Sequence, residues 1–243
     1  MRIAVTFLAS CWFWFSLFFF SAVMFPLSLT IWFFTLPFDR NKKAVHWYTC
    51  VWSCVILGVN PYWKVRLRGK EKIDRKATYV ILSNHASGAD ILVLFRFFIR
   101  FKWVAKQELF RVPIIGWNMS LNRYISIKRQ KGRSRLAMMD KAAEEIRKGN
   151  SVMIFPEGTR TRDGNLQPFK SGAFRLALET RSPILPIAIK GTFHTIRKGG
   201  FLIHRNHNIE AVVLDAIPYE AFGALDPNQA ALMVHDLINK ELK

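Results

Sequence analysis

Negative charge is scarce in this chain. Seventeen Asp and Glu stand against 36 Lys and Arg over 243 residues, a formal net charge of +19. A field of that sign favours an anionic partner: nucleic acid, a phospholipid surface or an acidic carrier. Nucleic acid is the poorest fit of these. The chain is 51% hydrophobic, with 21 Phe and 8 Trp, more apolar surface than a soluble nucleic-acid binder carries. An enzyme working at an anionic membrane uses both properties, and no nucleic-acid partner is expected.

Cysteine is equally sparse. Cys11, Cys50 and Cys54 are the full set of 3, an odd number without framework spacing, which excludes a disulfide scaffold. Cys50 and Cys54 share a helix face, where apolar buried thiols are the expected reading. His194, His204 and His207 lack the company a metal needs. The sequence therefore points to no metal and no cofactor. It also lacks an internal repeat, a low-complexity linker and any Gly-x-Ser-x-Gly elbow, so a serine nucleophile of the hydrolase kind has no place to sit.

The longest absence is that of charge between Ile3 and Phe38. A straight helix of that length would measure about 54 Å against roughly 30 Å of bilayer hydrocarbon. Pro26 is the expected breaker and Pro37 the expected stop. A basic turn, Asp39-Arg40-Asn41-Lys42-Lys43, follows. Ala44 to Trp63 is again free of Lys, Arg, Asp and Glu. The pattern predicts two apolar helices at the membrane, either re-entrant or spanning. Trp47, Tyr48, Trp52, Tyr62 and Trp63 would lie at the headgroup boundary, and the basic turn on the cytoplasmic side of the inner or plasma membrane. A cleaved signal peptide fits poorly, because the apolar run is too long, only Arg2 precedes it and no small-x-small site follows.

From Lys64 the composition changes to that of an α/β domain. Period-two or β-branched runs predict strands at 64–69, 79–83, 102–105, 124–127, 151–154, 184–189 and 209–214. Helices are expected after Asp90, over 133–148 with Gly149 as its stop, around 173–178, and from Asp226-Pro227 with Leu232, Leu237 and Ile238 on its apolar face. The expected architecture is α/β, a mixed sheet flanked by helices over 64–243, preceded by a membrane-embedded two-helix segment over 1–63.

Within that domain one turn stands out, Asn84-His85-Ala86-Ser87-Gly88-Ala89-Asp90, between a buried strand and a helix. An imidazole can take and give a proton at ordinary pH, and Asp90, five residues on, can fold back to fix the tautomer of the His85 ring. The plainer alternative is a helix cap, with His85 a satisfied turn histidine. A second turn, Phe155-Pro156-Glu157-Gly158-Thr159-Arg160, ends the 151–154 strand. There Arg160 can fork onto a phosphate, and Gly158 permits the tight backbone.

These two boxes, with Lys106-Gln107-Glu108-Leu109, Pro113, Gly116 and Arg129 between them and Ser182-Pro183-Ile184-Leu185-Pro186 after them, resemble the glycerolipid acyltransferase family typified by 1-acylglycerol-3-phosphate acyltransferase. The resemblance covers roughly residues 79–189. Arg123 departs from it, standing where many members carry glycine shortly before the arginine matched by Arg129.

The resemblance implies transfer of a fatty acyl group from an acyl thioester, acyl-carrier protein or acyl-CoA, to the sn-2 hydroxyl of 1-acylglycerol 3-phosphate, giving phosphatidic acid. His85 would be the general base and Asp90 its orienting partner. Lys106 would either stabilise the oxyanion or be a surface lysine at the head of a helix. Arg129 and Arg160 are the candidate phosphate ligands, although Arg129 sits in a basic run that could simply face anionic lipid. Glu157 would hold Arg160 or receive a glycerol hydroxyl, with Gly158 and Thr159 completing the acceptor side. Ser87 is expected to cap its turn. The implied partners are a lysophospholipid acceptor, an acyl thioester donor and an anionic membrane. Three alternatives stay open: another acceptor head group or transacylation, a hydrolase that admits water, and a basic membrane-binding protein without catalysis.

Overall fold

The computed structural model describes residues 2–127, 133–196, 199–203 and 207–243, with backbone alone for 2–4 and 133–136. Helix α1, Arg2–Thr35, is 34 residues long and passes through Pro26 without a break. The expected interruption does not occur. A proline inside a helix costs about 3 kcal/mol, but ending the helix there would leave several peptide groups unpaired in apolar surroundings. Nearby carbonyls find side-chain donors instead: Thr30 Oγ1 donates to Pro26 O at 3.0 Å and Tyr48 Oη to Met24 O at 3.3 Å. The helix stops two residues before Pro37, as expected. By length and composition α1 could cross a membrane; its Val5–Thr35 stretch has mean hydropathy 2.0 and exposes much apolar surface on one side, while Phe13, Trp14 and Leu17 pack on the body.

Helix α2, Lys43–Gly58, starts after the basic turn. Asp39 accepts from Lys43 N and Ala44 N at 2.9 Å each, so one carboxylate satisfies the first orphan donors of the helix. The turn is pinned to the α/β body. Asn41 Nδ2 donates to Lys148 O at 3.2 Å, while the buried Lys102 ammonium donates to Asn41 O and Asn122 O at 2.9 and 2.7 Å.

Among the described residues seven strands follow in the order β1-β7-β6-β2-β5-β3-β4. They are β1 Trp63–Arg68, β2 Val80–Ser83, β3 Phe101–Lys106, β4 Ile125–Ile127, β5 Ser151–Ile154, β6 Ile184–Lys190 and β7 His207–Val213. Every neighbouring pair is parallel except β6–β7. The expected mixed α/β sheet is therefore present, with each expected strand in place. The remaining helices are α3 Ala89–Phe95, α4 Ile115–Leu121, α5 Arg133–Arg147, α6 Gly172–Thr180 and α7 Pro227–Leu242.

Strand periodicity divides the core between the two faces of the sheet. Val80, Leu82, Val152 and Ile184 pack with α5, α6 and α7. Ile81, Met153, Leu185 and Ile209 pack with α2 and α3, and Phe13 of α1 joins the same cluster. Helix α2 is thus a layer of the sandwich, and this changes the reading of its aromatic residues. Tyr48, Trp52 and Trp63 are buried in protein at 8%, 6% and 5% exposure, while Trp47 is 60% exposed. Of the aromatics expected at the headgroup boundary, Trp47 alone is freely exposed. Charge-free sequence marks apolar surroundings without saying whether lipid or protein provides them.

His46 of α2 anchors this layer. Its Nε2–H donates to Ile99 O at 2.9 Å, which leaves Nδ1 to accept from Tyr124 Oη at 3.0 Å.

Helix α7 has the expected start, an Asp226 capping box that includes Gln229. Of the residues expected on its apolar face, Ile238 faces the sheet and the two leucines do not. Ala230, Ala231, Val234 and Ile238 are buried, whereas Leu232 and Leu237 are exposed. Small alanines let the helix approach the sheet, and the larger leucines are left outside. Helix α4 and the 3₁₀ turn before it were not foreseen in the sequence. Within them Gly116 lies so close to Phe110 O and Leu109 O that any Cβ would strike both.

Candidate active site

β2, β5, β6 and β3 run parallel, so their carboxyl ends share one edge of the sheet. The turns leaving that edge are 84–88, 155–161, 191–196 and the 3₁₀ turn Gln107–Arg111. In open α/β sheets this edge is where crevices form.

β2 ends at Ser83, and Asn84 secures the departure. Its side-chain amide copies a strand's hydrogen bonding, donating to Ile189 O at 2.9 Å and accepting from Ile189 N at 2.8 Å. Asp90, in the first turn of α3, is completely buried. Its Oδ2 accepts from His85 Nδ1 at 2.9 Å and from Ala86 N and Ser87 N at 2.8 Å each. Capping and orienting are therefore one task of one oxygen. The carboxylate holds the hydrogen on Nδ1, so Nε2 of the neutral ring is a lone-pair acceptor. It has no partner among the described residues. The imidazole is 15% exposed, enough to meet a substrate.

The second box builds the rest of the cradle. Glu157 Oε1 accepts from His85 N at 2.6 Å, and Thr161 N donates to His85 O at 3.0 Å. Both main-chain polar groups of the histidine are thus held by one loop. The Phe155 ring lies parallel to the imidazole, centroids 3.9 Å apart and planes within 7°, and Trp103 of β3 packs behind Phe155 at 5.2 Å. Glu157 Oε2 accepts from Gln167 N at 3.1 Å. Burial pushes the Glu157 carboxyl up to about 7, against the pull of the two backbone N–H groups. Both oxygens of Glu157 thus serve the main chain, and no ion pair joins it to Arg160 among the described residues.

Arg160 is half-buried over the first turn. A Cβ built on Gly88 would stand 3.7 Å from its Nη1. Burial lowers the Arg160 pKa from its usual range, and the Asp90 charge opposes that shift. No carboxylate lies within salt-bridge reach of Arg160 among the described residues. Gly158 takes φ +71 and passes beside Lys170, whose Nζ would be 2.6 Å from an added Cβ. Lys106 closes β3 on the same edge, paired in register with Ile127; it ends a strand and leads into a 3₁₀ turn. Thr159 lies between Gly158 and Arg160 in this loop. Arg129 lies outside the described residues, just beyond β4. Arg123 adopts φ 53, the left-handed region glycine enters without cost. The departure from the family pattern thus falls on a position with a backbone reason for glycine.

Ser87, the hydroxyl inside the first box, is fully buried and faces away from the imidazole into the segment 195–196. Sequence reasoning missed the parts played by Phe155, Asn84, Thr161 and Thr195. Phe155 carried a signal in the box itself, whereas the others show only once the chain is folded.

A histidine oriented by a buried carboxylate, at the carboxyl edge of a mainly parallel α/β sheet and with no nucleophilic side chain beside it among the described residues, defines a site able to take a proton from a hydroxyl. The fold matches that of 1-acyl-sn-glycerophosphate acyltransferase, PlsC, from Thermotoga maritima, with TM-score 0.80 over 99% of this chain and 96% of that one at 22% identity. Residues 64–190 match the family model described as Acyltransferase. A chloroplastic 1-acyl-sn-glycerol-3-phosphate acyltransferase of Brassica napus is 34% identical over 182 residues, 74% of this chain and 52% of that protein. A chloroplastic counterpart in Arabidopsis thaliana is 35% identical over 184 residues, 74% of this chain and 51% of that one. The chain spans about half the length of these plant relatives. It belongs to the Acyltransferase family.

Proposed function

We propose that this protein transfers a fatty acyl group from an acyl thioester to the sn-2 hydroxyl of 1-acylglycerol 3-phosphate, forming phosphatidic acid. The observation that carries the reading is the 2.9 Å bond from His85 Nδ1 to Asp90 Oδ2, which leaves Nε2 as a base. Nε2 takes the proton of the acceptor hydroxyl as its oxygen bonds to the thioester carbonyl carbon. The tetrahedral intermediate collapses, the carbon–sulfur bond breaks, and the imidazolium returns the proton to the leaving thiolate. Base assistance of this kind supplies about 10²–10⁴-fold. The thioester is already activated, so no acyl-enzyme is needed, in keeping with the buried orientation of Ser87.

Arg160, free of a carboxylate partner and partly desolvated, suits the acceptor phosphate. Arg129, outside the described residues, is the second candidate for that phosphate. Lys106 stands on the edge where the oxyanion develops. Glu157, Gly158 and Thr159 shape the acceptor side, with Glu157 acting through the backbone of His85.

The site works at a membrane surface. Phe15, Phe18, Phe19, Phe33 and Phe34 are among the exposed side chains of α1. The body holds α1 near its start, where Ile203 N donates to Ser10 Oγ at 2.9 Å, and holds the turn after its end through Asn41. A helix gripped at both ends lies along the body and enters one leaflet, with the body on the cytoplasmic face.

The test is thiol release from acyl-CoA or acyl-carrier protein by purified protein with vesicles. Release that requires 1-acylglycerol 3-phosphate is the expected result. Release without acceptor would make the protein a hydrolase, and no release with any lysolipid would remove the enzyme reading.

A further inference from the structure

Helix α1 carries polar groups that an anchor does not need. Ser10 is completely buried in the first half of the helix. Its hydroxyl donates to Thr6 O at 2.7 Å, and its oxygen accepts from Ile203 N at 2.9 Å. One turn later, Trp14 Nε1 donates to Phe201 O at 2.7 Å, and the Trp14 and Phe201 rings stack with centroids 6.1 Å apart. Two hydrogen bonds from one helix thus hold the main chain of 201–203.

That segment is tied to the catalytic turn. Ile203 and Ile196 form an antiparallel bridge. Ile196 N donates to Ser87 Oγ at 3.2 Å, and Ile196 O accepts from the same hydroxyl at 3.1 Å. Thr195 Oγ1 stands 2.8 Å from Ser87 Oγ and gives its own hydrogen to Thr192 O at 2.6 Å. The single Ser87 hydrogen is therefore shared between Thr195 Oγ1 and Ile196 O, while its oxygen accepts from Ile196 N. Ser87 N in turn donates to Asp90 Oδ2, the oxygen that holds His85. Ser87, Thr195, Ile203 and Asp90 are fully buried, so water cannot replace a lost partner.

We propose that α1 positions the catalytic turn through Ser10 and Trp14, by way of 201–203, 195–196 and Ser87, in addition to holding the protein at the membrane. The inference rests on the proposed acyl transfer for its kinetic readout. Loosening 201–203 releases Ile196, then Ser87, and lets the Asp90–His85 geometry widen. The hydroxyl proton transfer slows while acceptor contacts at Arg160 persist. Ser10 and Trp14 are positioning residues, since neither touches the reacting atoms.

The experiment compares full-length wild type with Ser10→Ala/Trp14→Phe, Ser10→Ala alone and Ser10→Thr. The substitutions keep the apolar face of α1 and remove the two bonds, except that threonine keeps the hydroxyl. Flotation with vesicles of phosphatidylcholine and phosphatidylglycerol should be equal for all. The double variant should lose tenfold or more in kcat with acceptor KM within about twofold, and Ser10→Thr should stay near wild type. The His85 Cε1–H resonance should shift in the double variant and not in Ser10→Thr. Wild-type kcat in the double variant overturns the coupling, as does a loss of activity that tracks loss of flotation or a rise in KM alone. If the double variant does not fold, Ser10→Ala is read by the same criteria. Should wild type show no transfer, the functional reading fails by itself, and the His85 resonance still decides the coupling.

Discussion

Glu157 Oε1 accepts the backbone N–H of His85 at 2.6 Å across 72 residues of chain. A carboxylate in the second box thus sets where the histidine of the first box stands. Glu157→Gln presents an amide NH₂ to one of the two backbone donors it now satisfies. Loss of such a buried bond costs about 1–3 kcal/mol, and turnover should fall with it. The pH dependence of stability distinguishes this role. An acid whose pKa is raised on folding binds more protons when folded, so its stabilising contribution is full at low pH and is lost as pH rises toward about 7. Unfolding free energies from urea titrations at pH 4 to 8 should fall through that window more steeply in wild type than in Glu157→Gln, by up to about 1.4 kcal/mol per pH unit for one proton.

His85→Ala should abolish turnover and leave folding and vesicle binding intact, because the ring projects from a turn held through its backbone. Asp90→Asn should lower kcat by about 10³–10⁴-fold through the wrong tautomer. It should also lower the melting temperature, since Oδ2 caps Ala86 N and Ser87 N as well. Steady-state rates with circular dichroism melts check both; a folded His85→Ala variant with substantial activity would remove His85 as the base.

Arg160→Ala should raise the KM for the phosphate-bearing acceptor tenfold or more and leave the donor KM nearly unchanged, because a guanidinium without a carboxylate partner is available to a phosphate. Arg160→Lys should recover part of the loss as a point charge. A donor KM that rises alone would assign Arg160 to the thioester side.

High salt should leave the full-length protein on vesicles and detergent should release it, since screening weakens only the electrostatic part of the attachment. A chain beginning at Lys64 should be insoluble and not merely salt-sensitive. It lacks Tyr48, Trp52, Ile56 and Leu57, which cover one face of the sheet. Vesicle flotation and size-exclusion chromatography decide this. Soluble, folded protein from Lys64 onward would show that α2 is dispensable to the core.

Local pattern was enough for much of this architecture. Alternating or β-branched runs marked each strand, because side-chain period within a strand is a property of neighbouring residues. The Asp226-Pro227 start was legible for the same reason, since the cap bonds reach only three residues. The two boxes were legible as residue types in order. Tertiary structure decided what one segment meets in another. Charge-free sequence could not tell lipid from protein, so Trp52 and Trp63 looked interfacial and are core. Leu232 and Leu237 had helical spacing, but the fit of alanines against the sheet left both outside. Glu157 looked like a substrate ligand until the adjacency of β2 and β5 brought it to the main chain of His85. The part played by Ser10 shows only once the fold sets Ile203 N against it. Hydrogen bonds between distant segments depend on strand order and helix rotation, and no local period encodes either.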